Sequence, residues 1–475
     1  MKTPILSRLL RCARASAWAA IAAHGVSLGA ETGALPPLAS DGVTVRAPVG
    51  TSEHDVDADP EVARWVARTG EKPTEVASWV GLGDAWMQRS RELPDSAILA
   101  GAESAYRRAL ALDPKHAPAM VGLAWVANTR HAFDEGRHWA REALKIDGAT
   151  SQAHALLGDA AMEVGDYEEA LEHFQAAMDA RPDLSSYARS AHLLWLTGDA
   201  RRAIALMTRA IQAGGPHPEN TAWCRAELGT MYLRQGAVLA ARQQLEKAMA
   251  SAPRHPHVLA AMGRLHLTQK DFAQAITCYE KALAVAPQHG TLAALVDLYT
   301  WTGRKEEAEA TTQRLFAFHA AHSHDSDSTS VPAPARTEGT GTGTGAKADH
   351  AHGPPSAELA KFLADQDRDL DFALAQAEEA YRTFRGVYAA DALAWCYFKK
   401  GRWTDAARMI RKASKWNTPD ASLFFHAGCI QDALGDRVAA RKSLSQALAL
   451  DPHFHPKQAE WAARKLAETE LAATR

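Results

Sequence analysis

Residues 152–182 read QAHALLGDAAMEVGDYEEALEHFQAAMDARP, and this stretch decides the fold. In its second half Ala170, Phe174 and Ala177 are separated by four and three residues, so they lie on one face of a helix. Gly165 interrupts the first apolar run, and the final proline ends the second, because proline cannot continue a helix interior. The stretch therefore predicts two short helices joined by a tight turn. Such a hairpin cannot bury its apolar faces alone, so it also predicts similar hairpins on both sides.

The same pattern of small and large apolar residues recurs along most of the chain. The first copy starts at Trp79, with Leu82 and Gly83 in one helix and Tyr106 in the next. Further copies contain Leu123, Ala191, Gly229, Gly263, Leu295, Ala373, Leu393 and Gly428. Together they resemble the W-x2-L-G-x2-Y … A-x3-F … P signature of the tetratricopeptide repeat superfamily. The resemblance implies an all-α fold, a right-handed α-solenoid of about ten helix-turn-helix hairpins.

Composition divides the chain into six parts, because two segments rich in Pro, Gly and Ser lie outside the helical pattern. About seven repeats precede the second interruption and about three follow it. A short helix of one or two turns is expected at Glu61 to Thr69. The predicted parts are a signal peptide at 1–30, a flexible lead-in at 31–75, a first repeat block at 76–318, a disordered linker at 319–355, a second repeat block at 356–454 and a capping helix at 455–475.

The first thirty residues have the layout of a secretory signal peptide. Basic residues without any acid precede a run of small, mostly apolar residues from Ala15 to Ala30, with cleavage expected after Gly29 or Ala30. We therefore expect a periplasmic or extracellular protein. The alternative is an alanine-rich leader on a cytoplasmic protein. No other apolar run is long enough to span a bilayer.

Composition and motifs also exclude several classes of function. The formal net charge of −3 offers no basic stripe for nucleic acid. The chain lacks H-E-x-x-H and Walker motifs, so we expect neither an enzyme nor a cofactor. No C-x-x-C pair is present, and a disulfide between Cys396 and Cys429 is left open, although buried thiols fit their apolar surroundings better.

The linker carries the one sequence feature that favours a different function. Histidines lie beside aspartates there, and imidazole with carboxylate suits zinc, nickel or copper. The weak candidate ligands are His322, His324, His350 and His352. Their spacing matches no closed site, so a metal-handling or enzyme-accessory protein is the alternative hypothesis.

The remaining functional surface is the concave groove that the first helices of such an array line. Aromatic side chains are enriched at binding hot spots, so aromatic first-helix positions indicate a binding groove, unless they fill the hairpin interior instead. The candidate groove residues are Trp125, His192, Trp195, Trp223, Arg264, Trp301, Tyr388, Asp391, Trp395, Phe398 and Phe425. Family members that bind acidic peptide tails do so with a clamp of Lys, Arg and Asn side chains. In this sequence the corresponding positions are Gln152, Ala155, Asp159, Ala188 and His192, so the clamp is absent. The sequence thus favours a scaffold or adaptor for an apolar or mixed protein segment.

Overall fold

A computed structural model describes residues 59–92, 96–147, 150–215, 217–321 and 356–473. Within these ranges the chain forms twenty-two α-helices and no strand, so the prediction of an all-α solenoid is confirmed. The predicted signal peptide, most of the lead-in and the four linker histidines lie outside the described residues.

The helices form ten antiparallel hairpins between one initial and one final helix. The initial helix is α1 (Pro60–Glu71), and the final helix is α22 (Pro456–Ala473). Repeats 1 to 10 are, in order, α2 (Val76–Glu92) with α3 (Ser96–Leu112), α4 (Ala117–Thr129) with α5 (Phe133–Ile146), α6 (Ser151–Val164) with α7 (Tyr167–Ala180), α8 (Leu184–Leu196) with α9 (Ala200–Ala213), α10 (Pro218–Leu233) with α11 (Val238–Ser251), α12 (Pro256–Thr268) with α13 (Phe272–Val285), α14 (His289–Trp301) with α15 (Lys305–Ala321), α16 (Ala357–Asp365) with α17 (Leu370–Thr383), α18 (Val387–Lys399) with α19 (Trp403–Ala413), and α20 (Ala421–Ala433) with α21 (Arg437–Leu450).

Repeat 3 illustrates why these sequences form hairpins. Gly165 ends α6 with φ of 85°, a conformation that favours glycine. Asp166 then caps α7, because its carboxylate accepts a hydrogen bond from the backbone of Glu169 at 3.2 Å. Gly158 lies directly against the ring of buried Phe174, and a side chain there would overlap the ring. The two helices of repeat 3 therefore approach each other closely at Gly158.

The lead-in is more ordered than the sequence indicated. Helix α1 has 12 residues, and the carboxylate of Asp59 accepts hydrogen bonds from the backbone of Glu61 at 2.9 Å and Val62 at 3.2 Å. The indole of Trp65 lies against Gly81 of repeat 1. The short helix expected at Glu61 to Thr69 is therefore present as the longer helix Pro60–Glu71, and an aromatic anchor attaches it to the array.

Repeats 7 and 8 are neighbours although residues 322–355 separate them in sequence. Arg368 pairs with Glu309 at 3.0 Å, and the amide of Gln366 donates to Asp297 at 2.8 Å. Helix α15 continues to Ala321, so the start of the predicted linker at 319 is wrong by three residues. One apolar cluster extends from repeat 3 to the final helix, which joins the two predicted blocks into one core.

Repeats 8 to 10 form a second layer on the first. We call the row of turns within the repeats the turn edge, and the row of segments between successive repeats the connector edge. The turn edge of the first layer meets two connectors of the second layer, at 384–386 and 414–420, and Arg264 of helix α12 meets the third connector, at 451–455.

Successive repeats of the first layer contact successive connectors of the second. In repeat 3 the backbone N–H of Val387 donates to the hydroxyl of Tyr167 at 3.0 Å. In repeat 4 the hydroxyl of Thr418 donates to the carbonyl of Leu196 at 2.5 Å. These pairs are 220 and 222 residues apart, so the layers are held by contacts far apart in sequence.

Candidate interaction surface

The first helices of the repeats line the inner surface, and polar pairs join neighbouring repeats across it. The guanidinium Nε of Arg189 lies 2.9 Å from both carboxylate oxygens of Asp159. His257 lies 2.7 Å from Glu227 and stacks on Trp223 with ring centroids 5.6 Å apart. These contacts fix the rotamers of the inner wall, as a binding surface requires.

Glu227 is the most strongly stabilised anion of this wall. Burial alone would raise the pKa of Glu227, but the hydrogen bond from His257 and the nearby His192 and Arg234 outweigh burial and hold it at about 2. Burial also lowers the pKa of half-buried His192. The predicted groove residues His192 and Trp223 thus belong to a connected polar wall.

Two other predicted groove residues hold the layers together. Arg264 pairs with buried Asp451 and donates to the carbonyl of Phe454 at 3.0 Å. Arg234 donates to the hydroxyl of Tyr388 at 3.2 Å. Both Arg264 and Tyr388 therefore have partners within the chain.

Four of the predicted groove residues are buried, with exposed fractions no greater than 4%. They are Trp195, Asp391, Trp395 and Phe425. The expectation that these four are exposed in an open groove is wrong. These four side chains fill the interior instead, as the alternative interpretation of the sequence proposed.

The environment of Trp395 gives the physical reason. One neighbour is the ring of His426, with centroids 4.1 Å apart, and another is Phe398, at 4.9 Å. Its indole N–H donates to Asp365 at 2.9 Å. The final helix also covers Phe425, which meets Trp461 edge to face at 5.7 Å. These aromatic residues therefore join repeats 8 to 10 and α22.

The remaining three predicted residues differ in setting. Phe398 is half-buried and stacks on Trp395. Trp301 is exposed at the end of α14. Trp125 is half-buried on the inner surface, with the guanidinium of Arg91 4.8 Å from the centre of its ring. Only Trp125 borders a cavity.

That cavity lies at the N-terminal end of the inner surface and has a volume of about 290 Å³. Helices α1, α2 and α4 and the start of α10 enclose it. Its lining residues are Glu61, Trp65, Gly81, Asp84, Ala85, Gln88, Trp125 and His217. The closure depends on a contact between distant repeats, since the amide of Gln88 donates to Glu219 at 2.7 Å.

Asp84 is the distinctive charge of the cavity. Its carboxylate accepts a hydrogen bond from the Tyr106 hydroxyl at 2.7 Å and keeps access to solvent. The crowding of protein atoms around it raises the pKa of Asp84, and the hydrogen bond only partly offsets this effect. Among the described residues no basic side chain forms an ion pair with Asp84. The cavity therefore contains a carboxylate without a counter-ion.

Sequence reasoning missed Trp65, Asp84, Gln88 and His217 as site residues. Asp84 directly follows Gly83 of the repeat signature, so its position could have indicated the inner surface. Trp65 gave no such signal, because it lies outside the repeats.

A larger cavity of about 610 Å³ lies between the second helices of repeats 8 and 9. Its charged groups are already engaged: Glu378 accepts from Tyr397 at 2.8 Å, and Arg408 pairs with Asp405 at 2.8 Å. The described residues contain no group of three or more side chains arranged to hold a metal ion. Cys396 and Cys429 are buried free thiols, and burial raises the pKa of Cys396 to about 12.

The stacked helical hairpins and their inner surface define an α-solenoid, a class in which function depends on the surface rather than on the fold. Family models described as tetratricopeptide repeat match residues 95–154, 151–184, 232–287 and 266–324. The chain is a tetratricopeptide repeat protein. Such repeats bind protein or peptide partners, which supports a protein-interaction scaffold. None of the described helices is long and apolar enough to cross a membrane.

Solved structures of other repeat proteins are similar to this chain. One is YrrB, described as a TPR protein with an unusual peptide-binding site, with 18% identity over 40% of this chain and 96% of that chain and a TM-score of 0.29. Another is PilW, a widely conserved type IV pilus biogenesis factor, with 17% identity over 42% and 92% and a TM-score of 0.37. A third is a tetratricopeptide repeat protein from Parabacteroides merdae, with 15% identity over 55% and 95% and a TM-score of 0.38. Comparison with curated proteins gave no match.

Proposed function

We propose that this chain is a non-enzymatic adaptor that holds a segment of a partner protein in the cavity between α1 and repeats 1, 2 and 5. The observation that carries the proposal is the carboxylate of Asp84, without a basic partner among the described residues, in a cavity that Trp65 and Trp125 also line. Elsewhere on the inner surface, Arg264, Tyr388 and the Trp395 cluster already bind groups of the chain itself.

The chemistry of the cavity favours a basic side chain on the partner segment. An ammonium or guanidinium group would supply the missing counter-ion of Asp84. Aromatic rings also attract cations, although Arg91 already lies on one side of Trp125. The volume of about 290 Å³ suits one side chain and its flanking backbone rather than a whole domain.

The test uses the full chain, immobilised, with proteins of its native extract. Asp84→Asn removes the charge and keeps the shape, and Trp125→Ala removes one wall. Trp301→Ala is the matched control, because Trp301 is an exposed tryptophan away from the cavity. We expect proteins that the wild type and the control retain to be lost from both cavity variants in quantitative mass spectrometry. Equal retention by all four proteins would disprove the proposal.

A second measurement tests the charge. Once a captured segment is known, replacing its Lys or Arg by Gln should weaken binding about tenfold or more, as should Asp84→Asn. The two changes together should cost no more than either alone, because both remove the same pair. Independent, additive losses would exclude an ion pair at Asp84.

We also propose that the protein is exported. The basic start and the small apolar run from Ala15 to Ala30 support this proposal. The full-length chain made in its native host should be recovered outside the cytoplasm with a mature N-terminus after Gly29 or Ala30, by intact-mass measurement. A cytoplasmic chain that keeps residues 1–30 would contradict it.

A further inference from the structure

The turn edge is covered in repeats 2 to 4 of the first layer and open in repeats 9 and 10 of the second. In repeat 3 the carbonyl of Val164 accepts a hydrogen bond from the backbone N–H of Arg385 at 3.2 Å. In repeat 2 Phe133 meets Phe384 edge to face with ring centroids 5.9 Å apart. The turn glycines of repeats 9 and 10, Gly401 and Gly435, have no neighbouring group within 4 Å of an added Cβ.

Trp403 occupies in repeat 9 the place that Tyr167 occupies in repeat 3. Both residues come two positions after the turn glycine and start the second helix. Tyr167 is only 6% exposed, because the second layer covers it, whereas Trp403 is 46% exposed. In repeat 10 Leu434 occupies the place of Val164 and is 47% exposed. The open edge thus presents large apolar side chains at the positions that are covered in the first layer.

Exposure at a neighbouring position serves as an internal control. Leu239 and Val438 each come three positions after a turn glycine, in repeats 5 and 10. Both remain highly exposed, at 78% and 85%, although repeat 5 belongs to the covered layer. A side chain three positions after the turn glycine therefore points away from a stacked layer. Only the exposure of Trp403 and Leu434 indicates whether a layer covers the turn edge.

We propose that the turn edge of repeats 9 and 10 binds the connector edge of a second copy of this chain. The intramolecular stack already shows that a turn edge and a connector edge of this sequence fit together. The connector edge of the first layer is accessible, since Pro182, Arg181 and Pro253 are exposed. The contact continues the existing stack by one more layer.

The two edges that meet are different, so the contact is heterologous. Such contacts close into rings or extend into open chains, whereas a two-fold dimer would need one edge to contact itself. Association should therefore extend beyond a dimer as the protein concentration rises.

Sedimentation of the full chain across a dilution series tests this proposal. We expect a mass above the 51.3 kDa of one chain at the highest concentrations and a return to one chain on dilution. Trp403→Glu should shift the association to much higher concentration. Val438→Glu, the matched control, should leave it unchanged. Circular dichroism of each variant establishes that the helices are intact.

Hydrogen exchange of the wild type at low and high concentration gives an independent reading. We expect slower exchange at high concentration around residues 399–405 and 432–437. A wild type that stays a single chain throughout, an oligomer that survives Trp403→Glu, or an equal loss in Trp403→Glu and Val438→Glu would each overturn the proposal.

Discussion

The contact between the layers can be tested at a single glycine. Gly198 lies at the turn of repeat 4 with φ of 84°, where the connector at 414–420 covers it. A methyl group there would overlap the carbonyl oxygen of Trp416 and lie 3.1 Å from that of Asn417. Gly435 has nearly the same backbone, with φ of 83°, but no group within 4 Å. The two positions therefore separate backbone strain from contact between layers.

The two substitutions should differ in their loss of stability only through the contact between the layers. Alanine in the left-handed region costs about 1–2 kcal/mol, which both Gly198→Ala and Gly435→Ala incur. Gly198→Ala adds the displacement of a packed backbone, about 1–3 kcal/mol by analogy with overpacked cores. We expect a total loss in the free energy of unfolding of about 2–5 kcal/mol for Gly198→Ala and about 1–2 kcal/mol for Gly435→Ala.

The assay combines urea unfolding, followed by circular dichroism, with hydrogen exchange. Long repeat arrays can unfold in stages, so the global midpoint alone is not sufficient. Gly198→Ala should accelerate exchange of the amides in 414–420, while Gly435→Ala leaves that segment unchanged. Equal losses of stability in the two variants, with no change at 414–420, would refute the stacking of the layers as described.

Three further predictions concern the core, the ion pairs and the inner wall. Phe174→Ala should lower the free energy of unfolding by about 3–5 kcal/mol, since it leaves a cavity beside Gly158, and urea unfolding measures this loss. Arg264→Met should cost about 3–5 kcal/mol because it leaves the buried carboxylate of Asp451 without its cation, and the double variant with Asp451→Asn should recover part of that stability. Glu227 has a folded pKa of about 2, below the ordinary glutamate value of 4.5, so its contribution to stability is complete above about pH 4.5 and is lost as the pH falls towards 2. In Glu227→Gln the free energy of unfolding should therefore decline less steeply between those pH values. The same pH dependence in the variant and the wild type would contradict this role of Glu227.

The local fold could be predicted from the sequence, because each hairpin is encoded by spacing within about thirty residues. The close approach at Gly158, the partner ring of Phe174 and the number of hairpins all follow from that short-range pattern. The stacking of layers could not be predicted in this way. It joins Tyr167 to Val387 and Leu196 to Thr418 through a hydroxyl and backbone groups, which produce no periodic signal.

The inner surface was predicted less well than the fold. If the repeat pattern is aligned wrongly by one residue, the predicted direction of a helical side chain changes by about 100°. A rotation of that size moves a side chain from the inner wall into the space between helices. That rotation accounts for Trp195, which is buried, whereas Trp223 remains on the wall. Trp395 directly follows a Leu-Ala pair, as Trp125 does, so its burial comes instead from its neighbours Phe398 and His426. The cavity around Asp84 depends on α1 and on the contact of Gln88 with Glu219, 131 residues away, so no local pattern indicated it.

The order of synthesis gives the layered arrangement a further consequence. The ribosome completes Tyr167 long before it reaches Val387, 220 residues later. At about 5–20 residues per second, this interval lasts roughly 10–45 s. During that time the nascent first layer displays Phe133 and Tyr167 without the connectors that later cover them. A chaperone, a neighbouring nascent chain or the partner itself would meet an edge that the finished protein no longer offers.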